Sequence, residues 1–367
     1  MKGCVPREVH VLYDVLSYVS KQNTSGLSYT RECAAMLSFC CNQENRGNLL
    51  KRGVRYAFCA FFMHSGGFMV DARESVTAKL CAFARAWHAT RAREKIFDDD
   101  LAFDLIGRAE YEAMYDMVSR GFTGQPVPFS RADTEQLIIE YIAPIPLSRI
   151  HFTESRLERF AAAHGKIQYV ICGAGSDTFS FRNPNPDIEI FEVDHPDTQR
   201  SKLERIRNLE WNVPENVHFV SVDFEREQMT ERLLHAGFDP QKKTFFSILG
   251  VTYYLTLDVF ADTLSQIAAL SVPESVLVFD YPMKGTQFPA RVARLEQITE
   301  SLGEKMRGGY DYNDVSRALY ALGFQIDTYL TPEKVQEAYF AGRQDRMHAF
   351  ENVSLISAVY TAGYSFE

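Results

Sequence analysis

The sequence predicts an α/β protein built on a doubly wound, mostly parallel sheet of seven strands, with a helical N-terminal half. Three observations carry that expectation. An apolar run, Tyr169-Val170-Ile171-Cys172, enters the turn Gly173-Ala174-Gly175-Ser176-Asp177-Thr178, and a second run at 188–193 ends in Asp194. From about Gln168 onward, strand-like and helix-like segments alternate, a pattern that builds a parallel sheet with helices on both faces. Residues 1–145 instead show helical spacing and no strand alternation of any length.

In the N-terminal half, Val9, Leu12, Leu16 and Val19 recur at helical intervals, as do Tyr29, Cys33, Met36, Leu37 and Cys40. A third helical segment is expected over about 49–63 and a fourth over about 74–96. The fourth carries Val76, Leu80, Phe83 and Trp87 on one face, with Arg85, Arg91 and Arg93 among its polar positions. Gly66-Gly67 and the stretch 121–126 punctuate this half. Strands follow at 168–172, 188–193, 217–222, 244–249, 275–280, 324–330 and 352–359. Helices fall between them at about 196–208, 226–236, 257–270, 312–322 and 332–341. The expected division is 1–145, a helical extension and lid, and 146–367, a Rossmann-like core.

Bulk properties narrow the function classes. A chain of 367 residues with 46% hydrophobic and 24% charged residues can bury a full core. A net charge of −9 without a long basic block argues against nucleic acid or an anionic membrane as partner. No apolar run approaches the roughly 18 residues of a bilayer span, and the first residues lack the order of a signal peptide. A cytoplasmic protein is expected. Seven cysteines without a CxxC pair suggest neither a disulfide framework nor a zinc site; small apolar packing is their expected role.

The glycine turn is the first site of chemistry. Gly173 and Gly175 let the backbone approach a ligand that a Cβ would push away. Asp194 stands about 20 residues later, where such folds accept hydrogen bonds from ribose hydroxyls. Glu192 lies two residues earlier on the same strand face, the alternative should Asp194 point away. Thr178 occupies the place of the third glycine of the nicotinamide fingerprint, which argues against an oxidoreductase.

These residues, with others, resemble the leucine carboxyl methyltransferase family, in its bacterial and secondary-metabolism branch. The GAGxDTxxxR turn appears as Gly173 to Thr178 with Arg182 closing it. EVD-x-P appears as Glu192-Val193-Asp194-His195-Pro196, followed by Lys202. An R-x-x-x-x-D/E pair appears as Arg149 and Glu154, and G-x-x-x-YL as Gly250 to Leu255. The run Tyr339-Phe340-Ala341-Gly342-Arg343 is similar to the family's tail. Coverage runs over roughly 72–367. Leu249 stands where many relatives carry Glu before the glycine, and the first 70 residues match nothing recognised.

The resemblance implies a class I methyltransferase fold and S-adenosylmethionine as cofactor. Asp223, after the third strand, lies where such enzymes bind the adenine amino group, and Phe224 beside it can cover the ring. Arg149 is expected to fork onto the cofactor's methionine carboxylate. Arg182 is open between structural support and substrate contact. Tyr254, at the carboxyl edge of the sheet, is implied to face the methyl acceptor, with Tyr253 turned into packing. Arg343 and Tyr281 are further substrate-pocket candidates. His151, His195 and His218 read as surface or capping residues. Arg52, Arg55, Arg73 and Arg85 are candidates for attracting an anionic acceptor, most of them read as solvated.

The expected reaction is O-methylation of a small-molecule carboxylate or acidic hydroxyl. A carboxylate is ionised at neutral pH and needs no base, whereas a hydroxyl does; no Asp–His or Lys base motif is visible near the pocket, which leans toward the acid. A cofactor-binding regulatory protein without turnover, or methylation of a protein C-terminal carboxylate, are the alternatives. No metal is called for. Oligomeric state is left open, with a homodimer among the options.

Overall fold

A computed structural model describes residues 75–122, 126–223, 227–285, 288–307 and 309–361. The helical segments expected at 9–19, 29–40 and 49–63, together with Arg52, Arg55 and Arg73, lie outside these residues. The described residues fall within one compact unit.

Seven strands form one sheet in the order β3-β2-β1-β4-β5-β7-β6: β1 (Ile167–Cys172), β2 (Ile188–Asp194), β3 (Val217–Ser221), β4 (Thr244–Ile248), β5 (Val276–Pro282), β6 (Phe324–Leu330) and β7 (Val353–Tyr360). All pairings are parallel except those of β7, which runs antiparallel between β5 and β6. Order and the reversed seventh strand are those of the class I methyltransferase sheet expected above. Central strands are covered on both faces, so β1 and β4 are buried at every residue and read as continuous apolar runs.

Side-chain alternation splits the core into two layers. Ile167, Tyr169 and Ile171 of β1 join Phe83, Trp87, Leu147 and Phe160 on one face. Val170 and Cys172 join Phe191, Phe246, Phe260 and Phe279 on the other. The first layer is roofed by α1 (Val76–Arg91), α2 (Ala102–Ile106), α3 (Arg108–Ser119), α4 (Arg131–Leu137), which continues as a π turn over Ile138–Ile142, and α5 (Pro144–His164).

Two of these helices position the site. Helix α1 starts at Ser75, whose side chain accepts from the Ala78 N–H, a conventional N-cap. Its Leu80, Phe83 and Trp87 are buried as the spacing predicts, but Arg85 is 3% exposed rather than solvated. Helix α5, not marked out by the sequence pattern, begins at Pro144, where a missing N–H costs nothing in the first turn.

Candidate functional site

The carboxyl edge of β1 opens into the glycine turn. Gly173 has φ +81°, and a Cβ there would stand 2.5 Å from Val251 Cγ2; both facts demand glycine. The Gly175 N–H donates to Asp194 Oδ2 at 2.5 Å, and the His195 N–H donates to Asp194 Oδ1 at 2.7 Å. Asp194 ends β2 beside the turn. Burial raises its pKa, while the two backbone N–H bonds pull it back. Glu192, the alternative acid, is engaged elsewhere. It is 1% exposed and pairs with Lys202 Nζ at 2.5 Å, with Ser180 Oγ donating to its other oxygen. The Glu192–Lys202 pair therefore braces the turn from below.

A second hub lies across the opening. Arg149 projects from α5, and its Nη1 donates to Asp280 Oδ2 of β5 at 3.1 Å. Asp280 is fully buried, and it also accepts from the Tyr253 hydroxyl at 2.8 Å and the Gly250 N–H at 2.7 Å. Burial alone would lower the guanidinium pKa; Asp280, with Cys81 and Tyr253, reverses this and raises it above the arginine norm. Gly250 has φ +72°, and a Cβ on it would sit 2.6 Å from both Arg149 Nη atoms. The glycine of the G-x-x-x-YL segment is thus the slot through which the guanidinium passes. Arg149 Nε is buried with no hydrogen-bond partner.

A buried network ties the roof to the turn. Arg85 Nη1 pairs with Asp99 Oδ2 at 2.8 Å, and its Nη2 donates to the Ser176 carbonyl at 2.6 Å. Thr178 Oγ1 donates to Asp99 at 2.7 Å. Arg182 donates from Nε to Thr178 Oγ1 at 2.9 Å and forks onto Glu154 at 3.1 and 2.6 Å. Arg182 is structural support. Burial raises the Glu154 pKa to about 7 despite this fork.

Between these hubs lies a cavity of about 330 Å³, within the roughly 300–1,000 Å³ typical of small-ligand sites. Gly173, Gly175, Asp194, Arg149 and Tyr254 all line it, so the structure brings these five together. Tyr254 sits on a 3₁₀ turn, Thr252–Tyr254, with its hydroxyl 3.0 Å from Thr77 Oγ1 of α1. Burial raises its phenol pKa. Tyr253 lines the cavity too, but its hydroxyl is committed to Asp280.

Other candidates stand apart. Asp223 follows β3 at the same edge, with its N–H donating to Glu227, and is not among the cavity residues; Phe224 lies outside the described residues. Arg343 is away from the cavity, holding Asp345 and the Glu94 carbonyl. Tyr281 is buried, with its hydroxyl 3.5 Å from that of Tyr329. His195 caps the helix Pro196–Asn208, and His218 pairs with Glu189. Sequence reasoning missed Asp280, Asp99, Thr77 and Glu304, whose carboxylate accepts from the Val76 N–H at the start of α1; no local motif marks them. No group of metal-ligating side chains occurs among the described residues, and no described helix is long and apolar enough to cross a membrane.

A sequence model of leucine carboxyl methyltransferases matches residues 78–268. YktD of Bacillus subtilis, provisionally named an S-adenosyl-L-methionine-dependent methyltransferase, is 34% identical over 300 residues, spanning 78% of this chain and 97% of its own. A Mycobacterium tuberculosis (H37Rv) chain of the same provisional name is 29% identical over 266 residues, covering 69% of this chain and 73% of that one. Among solved structures, a DUF574-family protein of Streptomyces avermitilis overlays with a TM-score of 0.45 at 14% identity, covering 67% of this chain and 95% of that one. Magnesium protoporphyrin IX methyltransferase of Synechocystis, solved with bound SAH, gives 0.41 at 12%, covering 71% and 100%.

The residues present fit S-adenosylmethionine. The cradle at Gly173 and the slot at Gly250 are spaces a Cβ would fill. An acid stands at the end of β2, and a buried guanidinium offers an unused donor to an anionic terminus.

Proposed function

The chain belongs to the leucine carboxyl methyltransferase family and is an S-adenosylmethionine-dependent methyltransferase; from that premise we propose that it methylates an oxygen, carboxylate or acidic hydroxyl, of a small molecule with an apolar body. One observation carries the reading. Around Tyr254 the cavity is walled by Phe122, Tyr141, Ile145, Leu295, Ile298 and Met306. The cations that reach it, Arg85 and Arg149, are already paired with Asp99 and Asp280. A sugar or polyacid would lose its water there without gaining partners. An apolar ring or chain would gain roughly 25 cal/mol per Å² buried.

In this reading Gly173 and Gly175 admit the cofactor's backbone-facing edge, Asp194 accepts from its ribose hydroxyls, and Arg149 meets its carboxylate through Nε. When bound, the cofactor supplies a methyl group already activated on a sulfonium. The protein's own work is to hold the acceptor oxygen in line with that methyl and to keep water out. Such alignment is worth about 7–11 kcal/mol of barrier. Helix α1 and the π turn supply one wall of the cavity.

The test begins with calorimetric titration of S-adenosylhomocysteine into wild type, Asp194→Ala and Arg149→Ala. Each substitution is expected to weaken binding about tenfold, or about 1.4 kcal/mol. Methyl transfer to matched panels of aromatic acids, phenols, sugar acids and peptide carboxylates follows. Turnover of apolar-bodied acceptors alone supports the proposal. Turnover restricted to sugar acids or peptides, or none despite cofactor binding, defeats it.

A further inference from the structure

Resting on the reading that the acceptor oxygen meets Tyr254, we infer that a hydrogen-bond chain running Tyr254–Thr77–Glu304 fixes the polarity of that meeting, so that the acceptor is a hydroxyl whose proton leaves along the chain rather than a carboxylate.

The protons available to the chain fix its direction. Glu304 follows the helix Ala290–Ser301, yet its carboxylate closes the start of α1. It accepts from the Val76 N–H at 2.5 Å, the Thr77 N–H at 3.3 Å, the Ser75 hydroxyl at 2.9 Å and the Thr77 hydroxyl. A carboxylate has no proton to give, so Thr77 spends its single hydroxyl proton on Glu304. The 3.0 Å contact between Thr77 Oγ1 and the Tyr254 hydroxyl then has one solution: Tyr254 donates and Thr77 accepts. Ser75 cannot substitute as donor to Thr77, because its proton also goes to Glu304. With its proton turned toward Thr77, the Tyr254 oxygen has only lone pairs left for the cavity.

That polarity selects between the two acceptor classes left open above. A hydroxyl acceptor brings a proton to those lone pairs and makes a bond. A carboxylate brings more lone pairs, and it can bond only if Tyr254 turns away from Thr77 and breaks the chain. The same chain supplies what the sequence lacked, an outlet for the proton. As the acceptor oxygen bonds the methyl carbon, the carbon–sulfur pair stays on sulfur, leaving a neutral thioether. The acceptor's proton passes to the Tyr254 oxygen, the Tyr254 proton to Thr77, and the Thr77 proton to Glu304. Glu304 is only half-buried and returns it to water. Thr77 and Glu304 are positioning residues in this scheme, and Tyr254 alone touches the acceptor.

Replacing Glu304 by Gln reverses the chain without removing the cap. The amide oxygen can still accept from Val76 and Thr77, but the amide nitrogen now donates to Thr77 Oγ1. Thr77 then donates to Tyr254, and the Tyr254 proton turns into the cavity. The experiment titrates 2-naphthol and 2-naphthoate into S-adenosylhomocysteine-saturated wild type, Glu304→Gln, Thr77→Val and Tyr254→Phe. Wild type is expected to favour the naphthol by about tenfold, the worth of one well-made hydrogen bond. Glu304→Gln should shift that ratio toward the naphthoate, and Thr77→Val and Tyr254→Phe should erase most of it, each ratio being read at saturating S-adenosylhomocysteine. A wild type that prefers the naphthoate overturns the inference. So does a Glu304→Gln protein that binds S-adenosylhomocysteine normally with the ratio unmoved; should that variant fail to fold, an unmoved ratio in Thr77→Val and Tyr254→Phe overturns it equally. Binding of neither probe to wild type defeats the apolar-acceptor reading itself, and the inference falls with it.

Discussion

Asp280→Asn is the sharpest probe of how Arg149 is held. Asp280 is fully buried and takes three donors: Arg149 Nη1 at 3.1 Å, the Tyr253 hydroxyl at 2.8 Å and the Gly250 N–H at 2.7 Å. An asparagine keeps one acceptor oxygen, so its amide nitrogen must face at least one of these donors. It also strips the counter-charge from a guanidinium that is itself only 9% exposed. Removing one partner of a buried ion pair costs about 3–5 kcal/mol, a large share of the roughly 5–15 kcal/mol that holds a typical protein together. At about 2 °C per kcal/mol for a chain of this size, the melting point should drop by about 6–10 °C. Thermal unfolding by circular dichroism, without ligand, reads this directly. The cause is isolated by Arg149→Met/Asp280→Asn, which buries no unpaired charge. It should recover about 2 kcal/mol over Asp280→Asn alone, yet bind S-adenosylhomocysteine no better. An Asp280→Asn protein that melts with wild type, or a double variant whose loss equals the summed losses of Asp280→Asn and Arg149→Met, would show that Asp280 does not neutralise Arg149.

Other outcomes follow from the same geometry. Gly250→Ala places a Cβ 2.6 Å from the Arg149 guanidinium at φ +72°; the backbone cost is about 1–2 kcal/mol, and calorimetry should show cofactor affinity falling about tenfold or more as Arg149 retreats. His88 is fully buried with its pKa lowered to about 4, by burial first and then by Arg343. Its folded pKa lies below the unfolded value of 6.5, so its contribution is present above pH 6.5 and is lost as pH falls toward 4. The loss approaches about 3 kcal/mol at 1.36 kcal/mol per unit, and chemical denaturation across that window should show a flatter profile in His88→Gln. Arg182→Lys keeps the charge but loses the fork onto Glu154. Binding of S-adenosylhomocysteine should weaken and stability fall by about 1–3 kcal/mol, read by calorimetry and thermal unfolding.

The sheet and its glycine turn were legible because parallel strands buried on both faces are written as apolar runs, and the backbone approach at Gly173 tolerates no other residue. Asp194 was legible for the same local reason, being the last residue of its strand. Asp280 was not. It lies in β5 without a flanking motif, and its meaning comes from Arg149, 131 residues away. Glu304 caps a helix whose first turn lies 228 residues earlier, a relation that no periodicity encodes. Arg85 misled in the opposite direction. Helical spacing gives it a polar position, but spacing cannot show that Asp99 and the Ser176 carbonyl wait there to receive it. Asp223 and Arg343 were placed by resemblance, and neither lines the cavity.

The spacing of Arg149 and Glu154 shows what such a motif encodes once the fold is known. Five residues along an α-helix turn the side chain by roughly 500°, leaving the two about 140° apart around the axis. They therefore cannot serve one ligand. Arg149 faces β5, where Asp280 and the Gly250 slot fix its guanidinium at one end of the cavity. Glu154 faces the glycine turn, where Arg182 clamps it, and Arg182 in turn holds Thr178 against Asp99. One rigid helix thus sets the distance between the carboxylate end and the cradle of the expected cofactor. Arg85 then hangs α1, and with it Thr77, from that same frame through Asp99 and Ser176. Thr77 meets the Tyr254 hydroxyl at the cavity wall. On the proposed reading, the acceptor oxygen and the methyl group would be aligned by the two hubs, joined through α5, and loosening either should degrade alignment before it unfolds the chain.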